Sequence, residues 1–388
     1  MRLLVIGAGL MGPAAAYDMA RAADVECVTL ADADLARAKR AAARVNALTH
    51  TKKVRAVRLD ATNHNAVVRL MRGHAAALSA IPYVFNLGLA RAAVEARCHF
   101  ADLGGNNTVV RQEMALGREA AKRGVAIAPD CGLSPGMASI LGGELIRRIG
   151  GPPRHVGASA DALKIYVGGL TQKPKPPFHY QLLFSVEGLI NEYCEPSRIL
   201  RRGKITVIEP LTEVEKFHIK GFPVLEAFHT SGGASTLPET FAGKVGECFE
   251  KTLRYRGHVA LMRGLYDLGL FSSKEIAVGK MKIAPRALTS RLFLEKFTGD
   301  APDVTILRVE AHRRGKVASF TLVDRYDTRT KLTSMMRTTA WPAAVVVQML
   351  ARGDIQKRGA IRQERDVPAD LFLKAMRSRG LRITYQLR

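Results

Sequence analysis

The sequence predicts an α/β fold: a Rossmann-type doubly wound parallel sheet in the N-terminal part of the chain, followed by a second domain. Three observations carry this. Short apolar runs alternate with helix-like stretches from the first residues onward, a glycine-rich turn joins the first run to an alanine-rich helix, and 388 residues, 47% of them hydrophobic, suffice for two cores.

The first run, "RLLVI", is bounded by glycine and has the continuous apolarity of a strand buried on both faces. Gly7, Gly9 and Gly12 follow as GxGxxG with Leu10 and Met11 between them, opening the helix "LMGPAAAYDMARA" that leads to the second run, "VECVTLA". In this strand–turn–helix–strand context Gly7 permits the tight turn, Gly9 lets the backbone approach a pyrophosphate, and Gly12 lets the helix pack closely on the strand. The helix N-terminus offers unpaired N–H groups to the phosphates. Asp32 ends the second run, where a carboxylate accepts hydrogen bonds from the ribose hydroxyls and repels a 2′-phosphate, so NAD is expected over NADP. Arg37, Lys39 and Arg40 close behind it argue the other way.

Four further runs complete the alternation: "VRAVRL" up to Asp60, "AAALSAI" up to Pro82, "HFADL" before Gly104, and "GVAIAP" up to Asp130. Ligands of such sheets bind beyond the carboxyl ends of the strands. That position alone puts Asp60, Ala80, Ile81, Pro82, Asp102 and Cys131 near the cofactor.

Composition narrows the function classes. Lys and Arg number 59 against 35 Asp and Glu, a net charge of +24. The excess is spread along the chain, with only residues 342–388 enriched for their length, aromatics are 6%, and no familiar nucleic-acid-binding motif occurs, so no specific nucleic-acid partner is expected. Cys27, Cys98, Cys131, Cys194 and Cys248 are far apart and show no CxxC spacing, which leaves no expected metal site and fits a reducing cytoplasm. No signal-peptide pattern opens the sequence. Residues 73–90 lack Asp, Glu, Lys and Arg, the length of a short membrane span, but Pro82, Asn86 and Gly88 make them a buried strand, a proline turn and a helix start. No membrane partner is expected.

From "VIGAGLMG" through "ADLGG" and "PDCGLSPGM" to "YVGGLTQKPKPPF", "FSVEGLINEY", "LEAFHTSGGASTLPETF" and "TLRYRGH", the chain resembles the saccharopine dehydrogenase-like family over nearly its whole length. The strongest likeness is to the branch that oxidises the ε-amine of lysine. The resemblance implies NAD-dependent oxidative deamination of L-lysine, giving an imine that water converts to 2-aminoadipate 6-semialdehyde and ammonia before the product cyclises. It also implies a mixed α+β second domain for catalysis and dimerisation, a C-terminal segment returning to the nucleotide domain, and a homodimer. The expected boundaries are 1–134, 135–341 and 342–388, with the joint between Cys131 and Gly136 and the next helix ending at Gly150-Gly151-Pro152-Pro153. Two rivals stand beside this reading: a saccharopine- or carboxynorspermidine-type reductase using NADPH, and a nucleotide-sensing protein without turnover.

Hydride leaves a carbon next to nitrogen most easily when that nitrogen is neutral, so a base is needed for the ammonium proton. Asp102 is one candidate, a direct site residue or a cap for its loop. The block "LEAFHTSGG" supplies Glu226 and His229, the latter a proton shuttle near neutrality or a buried histidine bonded for structure. In "LRYRGH" the resemblance brings forward Arg254, Tyr255 and His258. An arginine fork suits an amino-acid carboxylate, against the alternative of a solvated strand end. Cys131 reads as a packing thiol rather than a reactive one.

Overall fold

The computed structural model describes residues 1–150 and 160–388. The chain divides into two compact units. One comprises Met1–Glu144, Thr328–Leu332 and Met336–Ile383; the other comprises Leu145–Asp327, Thr333–Met335 and Thr384–Arg388.

The first unit is built on strands β1 (Arg2–Ile6), β2 (Cys27–Asp32), β3 (Val54–Arg58), β4 (Ala76–Ser79), β5 (His99–Asp102) and β6 (Ala126–Ala128), which coincide with the six apolar runs. All pair in parallel in the order β3-β2-β1-β4-β5-β6, and the short strand Gly359–Ala360 adds a seventh beside β6. That last strand was not legible in the sequence, because two small residues carry no apolar period. Helices α1 (Met11–Ala20), α2 (Leu35–Thr49), α3 (His64–Met71), α4 (Asn86–Ala96), α5 (Asn107–Ala115) and α6 (Gly117–Lys122) alternate with the strands. Local chemistry starts several of them: Asp34 accepts from Arg37 N at 3.0 Å, Asn63 from Ala66 N at 3.0 Å, and Asn106 from Thr108 N at 2.9 Å. Leu4, Ile6, Met71, Leu89, Phe100 and Ile127 belong to the core on one side of this sheet. The uncharged run 73–90 becomes β4, a proline turn and the start of α4. Among the described residues no helix is long and apolar enough to cross a membrane.

The strand order reverses between β1 and β4, so their carboxyl ends open a crevice at the switch point of the sheet. The glycine turn and Ala80–Pro82 lie at this place.

The second unit is a mixed sheet. Strands β7 (Ala160–Thr171), β8 (Ser197–Arg201), β9 (Lys204–Ile208), β10 (Glu215–Phe217), β11 (Leu225–His229) and β12 (Val245–Tyr255) are followed by the small hairpin β13 (Ile276–Val278) and β14 (Met281–Ile283), then β15 (Asp303–Arg313) and β16 (Lys316–Arg325). The main sheet runs β10-β11-β12-β7-β15-β16, closed by the C-terminal strand Thr384–Leu387; β8 pairs with β12, and β9 with β8. β12 is parallel to β7, and the other pairs are antiparallel. Helices α8 (Val186–Cys194), α9 (Leu237–Phe241), α10 (His258–Asp267) and α11 (Pro285–Phe297) complete this unit, while α7 (Ala138–Gly150) runs across the division at Glu144 and α12 (Ser334–Arg352) belongs to the first unit from Met336 onward. Leu189, Ile190, Tyr193, Phe228, Met262, Phe293 and Phe297 form one buried cluster, concentrating the few aromatics of the chain.

The division differs in detail from the sequence boundaries. The expected joint at 134/135 precedes α7, whereas the first unit continues to Glu144, since the helix is continuous through the boundary. Of the C-terminal segment, residues up to Ile383 belong to the first unit, while Thr384–Leu387 pairs with β16 in the second. α7 is described as far as Gly150, and Gly151, Pro152 and Pro153 of the expected helix end lie outside the described residues.

Candidate functional site

In the first unit the glycine turn has the shape its spacing predicts. Gly7 takes φ +111°, and a Cβ there would stand 2.6 Å from the Ala80 carbonyl oxygen. A Cβ on Gly12 would overlap the Gly7 carbonyl, so α1 lies directly against the turn. Gly9, by contrast, meets nothing within 4 Å and is exposed. Leu10, more than half exposed, caps α1 without a side-chain bond, and no acidic residue stands in the first turn. The cradle therefore presents open backbone and a positive helix end, as a pyrophosphate requires.

Asp32 lies under this turn. Its Oδ2 accepts from Ala8 N at 2.7 Å and its Oδ1 from Asp34 N at 2.9 Å, which fixes the carboxylate while leaving further lone pairs for ribose hydroxyls. Arg37 is tied loosely to Asp34, at 3.8 Å. Asp60 is exposed and turned onto its own loop, accepting from Thr62 N at 2.9 Å and Thr62 Oγ1 at 2.7 Å. Ala80 N donates to Ile6 O at 2.7 Å, and the half-buried Ile81 and exposed Pro82 border the crevice.

Asp102 ends β5 and is completely buried. Its Oδ1 accepts from Gly104 N at 2.6 Å and Asp130 N at 3.2 Å, so it clasps the loops after β5 and β6. These bonds fit the loop-cap reading of Asp102, whose side chain has no exposed surface. Its Oδ2 faces Glu113 of α5, and neither this oxygen nor either oxygen of Glu113 has a hydrogen-bond donor among the described residues. Two buried carboxyls within bonding reach and without donors must share a proton. Burial raises both, and the charges of Asp102 and Asp130 raise Glu113 further. Cys131 is buried, accepts from Gln363 Nε2 at 2.8 Å, and is pushed well above the ordinary thiol range by burial, as a packing thiol would be.

The sign of the pair's linkage is clear. Groups whose folded pKa is raised stabilise fully below the ordinary carboxyl range, and that contribution is lost as pH rises through the raised values. Glu113→Gln removes one ionisation and keeps a donor for Asp102. Its thermal unfolding midpoint is expected to fall less than that of the unmodified protein between about pH 5 and about pH 9, with the variant ahead at the alkaline end. Parallel or steeper decline in calorimetry would mean that no proton is shared there.

In the second unit, four of the sequence candidates have structural employment. Glu226 accepts from Gly257 N at 2.9 Å and Val259 N at 3.3 Å, capping the start of α10. Tyr255 donates its hydroxyl to Thr171 O at 2.8 Å. His229 is buried, its ring nitrogens each 3.2 Å from Glu250 O and Glu213 Oε2, and burial lowers its pKa. His258 is buried, with Nδ1 2.9 Å from Phe178 O and Nε2 3.0 Å from the Tyr193 hydroxyl, and desolvation holds it down to about 3. The polar atoms of these four residues serve the backbone or a neighbouring side chain.

Arg254 is different in kind. It is 4% exposed, so the solvated strand end is excluded. Its Nε donates to Tyr193 Oη at 3.1 Å, its Nη1 to Leu253 O at 3.0 Å, and its guanidinium lies 5.2 Å from the centre of the Tyr180 ring. Because Nδ1 of His258 is spent on a carbonyl, its Nε2 accepts from Tyr193, whose oxygen then accepts from Arg254; the chain of bonds orients the guanidinium. Nη2 lies 4.0 Å from Glu192 Oε2, a carboxylate a third exposed. Burial pushes Glu192 up to about 7 against the pull of Arg254, and pushes Glu250, two positions before Thr252 on the same face of β12, up to about 8.

Glu113, Glu192 and Tyr180 were missed by sequence reasoning. A signal existed for the first two. Glu113 follows the buried Val110 by three residues in α5, and Glu192 follows the buried Leu189 by three in α8, so each places a charge on an apolar helical stripe.

Comparison with known proteins bears on both units. Residues 3–128 match the family model described as saccharopine dehydrogenase NADP binding domain, and residues 132–381 match the saccharopine dehydrogenase C-terminal domain. The NADP(+), L-glutamate-forming saccharopine dehydrogenase of Saccharomyces cerevisiae is 22% identical over 278 residues, 69% of this chain and 58% of that protein. Mitochondrial alpha-aminoadipic semialdehyde synthase of Mus musculus is 23% identical over 212 residues, 50% of this chain and 21% of that protein. The chain thus spans less than two thirds of the length of these curated relatives. Among solved structures, apo saccharopine dehydrogenase (L-Glu forming) from Saccharomyces cerevisiae has a TM-score of 0.77 at 19% identity, covering 100% of this chain and 99% of that one. Homospermidine synthase from Legionella pneumophila in complex with NAD has a TM-score of 0.68 at 11% identity, covering 100% and 91%. At these identities the likeness of structure shows the fold.

Proposed function

The chain belongs to the saccharopine dehydrogenase family, and from that membership we propose that it is an NAD(P)-dependent oxidoreductase acting on a carbon–nitrogen bond of an amino acid with the lysine skeleton. The observation that carries this reading is the glycine cradle, whose close-packed Gly7 and Gly12 and open Gly9 suit a dinucleotide pyrophosphate at the switch point of a parallel sheet. Bound there, the nicotinamide supplies the hydride acceptor. The reading placed first is oxidation of the ε-amine of L-lysine with NAD, which yields an imine and, after water adds, the semialdehyde and ammonia. The protein's own share is to hold the dinucleotide through the turn, α1 and Asp32, and to orient and desolvate the substrate.

A second reading is oxidation at the secondary amine of a saccharopine-like substrate with NADP. The names of the curated relatives favour it, and a net charge of +24 attracts polycarboxylates.

Absorbance of the reduced nicotinamide, followed with lysine, saccharopine and carboxynorspermidine and each cofactor, separates the readings. NADH with lysine supports the first; NADPH with saccharopine alone supports the second; no turnover in the panel leaves a nucleotide-binding protein and overturns both. Asp32→Asn keeps an acceptor for Ala8 N but removes the charge, so it is expected to weaken NAD and narrow the gap to NADP. A preference of the unmodified protein for NADP by about tenfold, about 1.4 kcal/mol, would overturn the assignment of Asp32.

A further inference from the structure

Polar groups that converge on Arg254 outnumber those needed to hold it. Tyr193, His258 and the Leu253 carbonyl already orient the guanidinium. Two further groups stand at its outer edge. The Tyr180 hydroxyl is buried with its oxygen beside the Arg254 guanidinium, and its proton has no acceptor among the described residues. Glu192 faces Nη2 at 4.0 Å, longer than a hydrogen bond, although a few tenths of an ångström of adjustment would close the pair. A hydroxyl proton without an acceptor, a fixed guanidinium and a loosely held, partly open carboxylate are an unusual remainder, since buried polar groups are ordinarily satisfied.

One chemical class satisfies all three. A carboxylate accepts from a guanidinium edge and a phenol together, and an ammonium one carbon away donates to a neighbouring carboxylate. We propose that Arg254, Tyr180 and Glu192 form the subsite for the α-amino-acid head group of the substrate, with Arg254 and Tyr180 taking the carboxylate and Glu192 the α-ammonium. The 4.0 Å separation suits this end of the molecule: the α-ammonium adjoins the carboxylate, whereas an ε-amine lies four methylenes away. Glu250, on the same face of β12 as Arg254 and bonded to Thr230 at 3.2 Å, adds a second carboxyl near Glu192. This inference rests on the reading that an amino acid is the substrate, and it names the residue that distinguishes amino acids from simple carboxylates or amines.

The test compares L-lysine with 6-aminohexanoate, which lacks only the α-amine, using the full-length protein loaded with NAD. The unmodified protein is expected to prefer lysine in kcat/KM by about tenfold or more, the usual scale for a charge-assisted contact. Glu192→Gln, close in volume and still able to hydrogen-bond, should lose at least about ten times more on lysine than on 6-aminohexanoate, and Glu192→Asp should recover part of the preference. Equal losses on both compounds, or none, overturn the assignment. Calorimetric titration of the NAD-loaded protein with lysine, saccharopine and 6-aminohexanoate keeps this result apart from the proposed reaction. Tighter binding of either α-amino acid than of 6-aminohexanoate, abolished in Glu192→Gln, supports the subsite even where no NADH forms. Indifference to the α-amine or to the substitution overturns it even where lysine is oxidised.

Discussion

Gly12→Ala is expected to weaken dinucleotide binding by about a hundredfold or more. The added Cβ would overlap the Gly7 carbonyl oxygen, stand 2.9 Å from the Gly7 carbonyl carbon and approach Val5 Cγ1 at 3.5 Å. None of the first two is a flexible side-chain end. The backbone itself must move, and α1 with it, so the N–H groups of its first turn leave the place where phosphates would bind. Overpacking of this kind costs about 1–3 kcal/mol of stability, and a loss of NAD affinity of about a hundredfold or more, about 2.7 kcal/mol, should accompany it in calorimetric titration. Gly9→Ala supplies the contrast. Its Cβ meets nothing within 4 Å, so the unfolding midpoint should hold while NAD affinity falls, because the methyl group occupies space the pyrophosphate needs. Retention of full NAD affinity by both variants would show that the dinucleotide does not lie on this turn.

Arg254→Ala should remove most of kcat/KM for lysine, by roughly 2–4 kcal/mol for a lost charge-assisted contact, while NAD affinity stays near that of the unmodified protein. Cadaverine has no carboxylate; it should be a poor substrate of the unmodified protein and should suffer little further from the substitution. The same variant has a stability signature. Without the guanidinium, Glu192 and Glu250 lose the cation that favours their charged forms, and both already stand above the ordinary range, at about 7 and about 8. Raised carboxyls stabilise below the unfolded value of 4.5 and lose that contribution as pH climbs through the folded values. The deficit in unfolding midpoint should therefore be modest near about pH 6 and widen toward about pH 9. Equal kinetic losses on lysine and cadaverine would make Arg254 a support of the fold, and the carboxylate anchor would have to be sought elsewhere.

Much of the first unit was legible because it rests on short-range rules. Strands buried on both faces read as unbroken apolar runs, and the turn between β1 and α1 needs glycine at positions a local pattern exposes. The candidate residues of the second unit were legible as types but not as roles. Nothing in "LEAFH" or "LRYRGH" tells that Glu226 caps the helix that follows Gly257, or that Tyr255 reaches a carbonyl 84 residues earlier in the chain. Glu192 and Tyr180 escaped notice because their partner, Arg254, is distant in sequence.

What the sequence by itself determined is the set of elements in the nucleotide-binding unit, its glycine cradle with Asp32, and the family to which the blocks point. Periodicity, turn stereochemistry and helix capping are properties of residues a few positions apart, so they survive in a one-dimensional reading. Only the tertiary structure decided which polar groups are already spent and which are left over. Burial removes water as the default partner, and each buried donor or acceptor is then satisfied, or left waiting, by whichever group the fold carries to it: Tyr193 to Arg254 across 61 residues, His258 to Phe178 across 80, and Glu113 to the side of Asp102.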